Sequence, residues 1–113
     1  MAREFSEQQK QDIVALENSR RGLQLAQAQR SRFELEVAQI DAAAEELGKS
    51  PGKVYKTIGG VLAEAKADEL KKELSARKSA IATHIENLKK EEKKFGDKAS
   101  ELTRKVEASI KGS

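Results

Sequence analysis

The sequence predicts a mainly α fold: an antiparallel two-helix coiled-coil hairpin with a short β-hairpin at the bend. Three observations carry this. Two long segments rich in Ala, Leu, Gln, Glu, Lys and Arg lack proline and favour helix. Their apolar residues recur every seven positions, as coiled-coil a and d positions do. Between them lies a short stretch, VYKTIGGVL, with the β-branched residues and paired glycines of a strand hairpin.

The first helix is expected from about residue 6 to 47. Leu16, Leu23, Val37 and Ala44 lie on one seven-residue series, interrupted by Arg30. Ala26, Phe33, Ile40 and Leu47 lie on the other, with Asp12 and Ser19 as polar members. Gly48, followed by Pro51, marks the expected stop. The second helix is expected from 68 to 110, with Asp68 as its N-cap. Leu74, Ile81, Leu88, Phe95 and Leu102 are spaced by sevens. Their partners four residues on are Lys78, Ile85, Glu92, Ala99 and Val106, so two of the five in that series are polar.

The two stripes register against each other. In an antiparallel pair, facing core residues have position numbers with a constant sum. Leu16 with Leu102, Leu23 with Phe95, Val37 with Ile81 and Ala44 with Leu74 obey one such sum. Phe33 with Ile85, Ser19 with Ala99 and Asp12 with Val106 obey the same one. This favours an intramolecular hairpin over a parallel dimer and implies a thin stalk, each helix about 60 Å long at 1.5 Å per residue. In this register Arg30 comes within a turn of Glu92, close enough to pair and fix the register at some cost in stability. Lys71 and Lys78 are expected near the base, with their stems along the seam and their heads in water.

At the bend, a helical hairpin needs only two to eight connecting residues, yet about twenty separate the helices. A β-hairpin over 53–66 turning at Gly59 and Gly60 accounts for them, because glycine supplies the positive φ of a tight turn. The second arm, through AEAKA, suits helix as well as strand. Val54, Tyr55, Ile58, Val61 and Leu62 would be poorly covered on an isolated hairpin, which is marginal in water and exposes unpaired edges that invite strands from other chains. The stretch is therefore expected to be an assembly element.

The chain has 113 residues, enough for one domain spanning 1–113. Hydrophobic residues make up 37% and charged residues 36%, a balance suited to elongated helices with a narrow buried stripe. The net charge of +3 comes from interleaved signs, as on a solvated helix face. A nucleic-acid surface would show denser basic blocks with aromatics, so no nucleic-acid partner is expected. The absence of Cys rules out disulfides and thiolate metal sites. No apolar run reaches the ~18 residues of a membrane span, and the first residues carry no apolar signal region. A cytoplasmic protein without membrane contact is expected. His84, the lone histidine, sits on a charged helix face with no second ligand in view and reads as a surface side chain. No phosphate loop is present, and a two-helix stalk cannot enclose a substrate for general acid–base work. No enzyme activity, cofactor or metal is expected.

Helix, VYKTIGGVL, helix resembles the β-class subunit of prefoldin. The family's stretch around the hairpin, YK followed by any residue, then V or I, then G, is present as Tyr55, Lys56, Thr57, Ile58 and Gly59. The first helix, LQLAQAQRSRFELEVAQIDAAAEEL, matches in character and in spacing to that motif. The resemblance covers nearly the whole chain. It departs in the second arm, which is usually richer in β-branched residues.

The resemblance implies a subunit of a hexameric, ATP-independent chaperone of two α-class and four β-class subunits. Hairpins join in a central body, so Val54, Tyr55, Lys56, Ile58, Gly59, Gly60, Val61 and Leu62 would contact the α-class subunit and further β copies. Unfolded clients are held near the coiled-coil tips and passed to a group II chaperonin. The register puts Phe5, Ile13, Leu16, Leu102, Val106 and Ile110 in the outer turns as candidate client-binding residues, with Ile13 and Ile110 beside the seam. The same residues would otherwise simply finish the coil. A structural or adaptor coiled coil that oligomerises and binds one specific partner is the alternative.

Overall fold

The computed structural model describes residues 4–49 and 53–112. Its elements run α1 (Glu7–Lys49), β1 (Val54–Ile58), β2 (Val61–Ala65) and α2 (Ala67–Lys111). The chain divides into two compact units. One pairs α1 up to Arg30 with α2 from Asn87 onward; the other holds the rest of both helices and the β-hairpin between them. In each unit the two helical segments are antiparallel, as the heptads predict.

The start of α1 is fixed by a reciprocal cap. Ser6 Oγ accepts from the Gln9 amide at 3.1 Å, and Gln9 Oε1 accepts from the Ser6 amide at 2.8 Å. Two amide donors near the helix start, Gln9's and that of Ser6 just before it, are thereby satisfied. The helix runs to Lys49, one residue past Gly48, close to the expected stop. Pro51, the second half of the expected stop, lies outside the described residues. At α2, Asp68 is not the N-cap. The Leu70 amide donates to the Lys66 carbonyl at 3.0 Å, so the helix begins one residue earlier than expected. Asp68 and Glu69 instead occupy the first turn, where negative charge complements the helix dipole.

The core follows the sevens. In the unit without strands, Leu16, Ala26, Leu88 and Leu102 are buried; in the other, Ile40 and Ile81 are, with Ile81 fully enclosed. Fully burying one such aliphatic side chain contributes about 1.5–3 kcal/mol. Four side-chain contacts between the helices keep the expected register. Gln9 with Ser109, Asp12 with Lys105, Phe33 with His84 and Asp41 with Lys78 all match its constant sum to within one. Lys78 ends in an ion pair with Asp41 at 2.6 Å, so its head is directed as well as solvated. His84 is exposed, but its ring stacks on Phe33 with centroids 5.3 Å apart and roofs that half-buried aromatic.

Arg30 and Glu92 form a two-pronged pair. The guanidinium Nη2 donates to Glu92 Oε1 at 2.9 Å, and Nε donates to Oε2. Both side chains are largely withdrawn from water. Arg30 holds the Glu92 carboxyl below the usual carboxylate range, chiefly by these hydrogen bonds and against the opposing effect of desolvation.

Gly22 shows what the sequence pattern missed. A Cβ built on it would lie 2.7–2.9 Å from three ring atoms of Phe95. Phe95, expected opposite Leu23, has its ring against the bare backbone of the neighbouring Gly22. Gly96, on the facing helix, has open space around it.

Two predictions follow from this packing. Gly96→Ala gains helix propensity and stabilises the chain by about 0.5–1 kcal/mol. Gly22→Ala loses that gain to overpacking, which costs about 1–3 kcal/mol, and is destabilising on balance. Urea titration of both variants measures the contrast, and equal stabilisation by both would contradict the close approach of Phe95. The second prediction concerns acid. Because the Glu92 pKa is lowered in the folded chain, its stabilisation is present above the unfolded-chain value near ~4.3. It is lost as pH falls through the lower folded value. Thermal melts from pH 7 to 3 therefore show a shallower acid loss for Glu92→Gln than for the parent chain; parallel profiles would refute the pairing.

Candidate functional site

The hairpin is built by its turn. Gly59 and Gly60 have φ of +54° and +83°, the two consecutive positive values of a type I′ turn, whose twist matches that of paired strands. The strands pair in antiparallel register, Val54 with Ala65, Tyr55 with Glu64, Lys56 with Ala63, Thr57 with Leu62 and Ile58 with Val61. AEAKA, open between helix and strand in the sequence, divides cleanly. Ala63, Glu64 and Ala65 complete β2, and α2 begins at Ala67.

Strand alternation sorts the hairpin into two faces. Val54, Lys56, Ala63 and Ala65 are half-buried, whereas Tyr55, Thr57, Leu62 and Glu64 are exposed. At the tip both faces are open, so Ile58 and Val61 are exposed despite sharing a side with Lys56. Leu62 is 71% exposed and Val61 66%, unusual for large aliphatic side chains so close together. Of the eight hairpin residues singled out from the sequence, six are exposed; Val54 and Lys56 are turned inward. An open, mainly apolar groove of about 570 Å³ flanks the hairpin, lined by Ala43, Leu47, Val54, Tyr55, Leu70 and Leu74 among others.

The second candidate region is the outer helix ends. Phe5 and Ile110 are exposed, Ile13 and Val106 are half-buried, and Leu16 and Leu102 are buried in the seam. Gln9 Nε2 donates to Ser109 Oγ at 3.2 Å, tying the two helices together close to these ends. Asp12, buried at a seam position, accepts from Gln8 Nε2 at 2.9 Å and lies 3.7 Å from Lys105 Nζ. Val14, on the outer side of α1, is 55% exposed and was not anticipated. Its signal was present: it is an apolar residue off both heptad series.

Among the described residues, no three His, Cys, Asp or Glu side chains converge as a metal site. No helix among them is long and apolar enough to cross a membrane.

A prefoldin subunit family model matches residues 8–113. The chain is similar to the prefoldin subunit beta of Thermococcus gammatolerans, with 32% identity over 101 residues, covering 88% of this chain and 86% of that relative. It is equally similar to the prefoldin subunit beta of Caldivirga maquilingensis, with 32% identity over 108 residues, covering 94% and 89%. Its fold matches the crystal structure of the prefoldin beta subunit from Thermococcus strain KS-1 with a TM-score of 0.83 at 25% identity, across 96% of both chains. With two helices closed by a β-hairpin, and with relatives aligned along almost its full length, the chain belongs to the prefoldin family of chaperone subunits.

Proposed function

We propose that this chain is a β-class subunit of a hexameric, ATP-independent holdase, assembled through its β-hairpin with α-class subunits and further β copies. In this reading it acts in the cytoplasm, captures unfolded proteins at the outer helix ends, and passes them to a group II chaperonin. The observation that carries the assembly half is the cluster of Tyr55, Ile58, Val61 and Leu62, all more than half exposed on a two-stranded hairpin. Such a hairpin buries too little to stand alone, and its open edges are completed by strands of neighbours.

Client capture is assigned to Phe5, Ile13 and Ile110, with Val14 added. These side chains are exposed or half-buried near the helix ends. Leu16 and Leu102 close the seam beneath them, and Val106 is half-buried beside them. Helix ends lack hydrogen-bond partners in their last turns and open readily. Each apolar contact with a client is weak, but several subunits gripping one chain add avidity without any strong single site. Release then needs no nucleotide, because no single contact is tight.

Replacing Phe5, Ile13 and Ile110 together by serine is expected to weaken suppression of aggregation of an unrelated unfolded protein by about tenfold or more, since avidity multiplies each loss. Light scattering without nucleotide measures it, with the mass of the assembly unchanged. Full suppression by the triple variant would contradict client capture at these residues.

A further inference from the structure

Lys56, the second residue of the YK motif, has a position that strand assembly alone does not explain. It lies on the half-buried face of the hairpin, directly opposite Ala63. From there its Nζ reaches Glu73 Oε1 on α2 at 3.1 Å. Among the described residues, this is the one side-chain hydrogen bond between a strand and a helix.

The neighbouring residues suit that crossing. Ala63 and Ala65, the inward residues of β2, carry only methyl groups. Larger side chains there would hold the strand away from the helix or fill the path of the lysine stem. Two methyl groups beside the lysine stem fit its span to Glu73.

The mechanical setting makes this pair matter. One residue, Lys66, separates β2 from α2, so the hairpin can pivot there by small changes of two backbone dihedrals. Its inward face carries one large aliphatic side chain, Val54, which lines the apolar groove with Leu47, Leu70 and Leu74. The Lys56–Glu73 hydrogen bond adds a directional contact to that groove. The opposite face and tip carry Tyr55, Leu62, Ile58 and Val61, whose direction is set by the hairpin's angle.

We propose that Lys56 and Glu73 are a positioning pair, which locks the β-hairpin onto the first turns of α2 and so aims its exposed apolar residues at the strands of a neighbouring prefoldin subunit. This rests on the assignment of the hairpin as the assembly element. Neither side chain needs to touch the neighbour. The pair acts by removing orientations from which strand pairing cannot start, as preorganisation does in binding generally.

The test measures assembly of the full-length chain with an α-class prefoldin subunit by native mass titration. Lys56→Met keeps the stem and removes the charge; Glu73→Gln keeps the shape and removes the charge. Each is expected to weaken assembly by about two- to fivefold per subunit, the range of an exposed ion pair, with an unchanged melting temperature. The exchanged double variant, Lys56→Glu with Glu73→Lys, is expected to recover it, which a loss of mere packing would not. If Lys56→Met weakens assembly but Glu73→Gln does not, Lys56 contacts the neighbour directly and the positioning role is wrong. Wild-type assembly by both single variants, or no recovery in the exchanged one, overturns it as well. Ile58→Asp, in the same titration, separates the two levels: if it leaves assembly intact, the hairpin is not the assembly element and the underlying assignment fails with the proposal.

Discussion

The antiparallel register of the apolar seam is the constraint on which the other features depend. It buries Ile81 completely and Ala26, Ile40 and Leu88 nearly so. It also brings Arg30 to Glu92. A slip of one heptad would move these two about 10 Å apart and leave a charge unpaired inside the seam, which costs far more than the paired state gains. The apolar residues alone tolerate such slips, because every seventh position looks alike. The ion pair does not, so it converts a repetitive interface into one with a single solution. The Asp12 contacts with Gln8 and Lys105 add a second polar mark to the seam.

Most of this was legible because heptads carry two independent tests, spacing within a helix and summed position between helices. The pairing of Arg30 with Glu92 follows from those tests alone. What escaped was non-periodic. Gly22 lies off both heptad series, yet its missing side chain is the seat of the Phe95 ring. Propensity counts only what a glycine costs its own helix, not what its absence of bulk allows a facing one. Asp68 failed as a cap because a good capping side chain one residue inside a helix is indistinguishable, in sequence, from one at its boundary. Stacking of His84 on Phe33 was missed because a lone polar residue beside the seam is read by its charge rather than its flat ring.

The hairpin was legible at its turn and obscure in its second arm. Consecutive glycines between β-branched residues specify a type I′ turn with little ambiguity. AEAKA carries no such signal, since alanine and glutamate favour helix locally. Pairing with β1 overrides that preference as far as Ala65, and the inward alanines permit the strand to lie close to α2. Local propensity therefore lost to tertiary pairing over three residues and won again at Ala67.

Among the candidate functional residues, the structure separates what the heptads use from what they leave over. Leu16 and Leu102 serve the seam, while Phe5, Val14 and Ile110 remain at the surface. The same separation on the hairpin leaves Tyr55, Ile58, Val61 and Leu62 uncovered. A chaperone subunit needs both kinds of leftover, one to join its neighbours and one to meet clients. The central claim is that the hairpin surface exists for neighbours. Native mass measurement of this chain, alone and mixed with an α-class prefoldin subunit, tests it most directly. The account predicts a defined hetero-oligomer of two α-class and four β-class chains in the mixture, whereas a monomer under both conditions would contradict it.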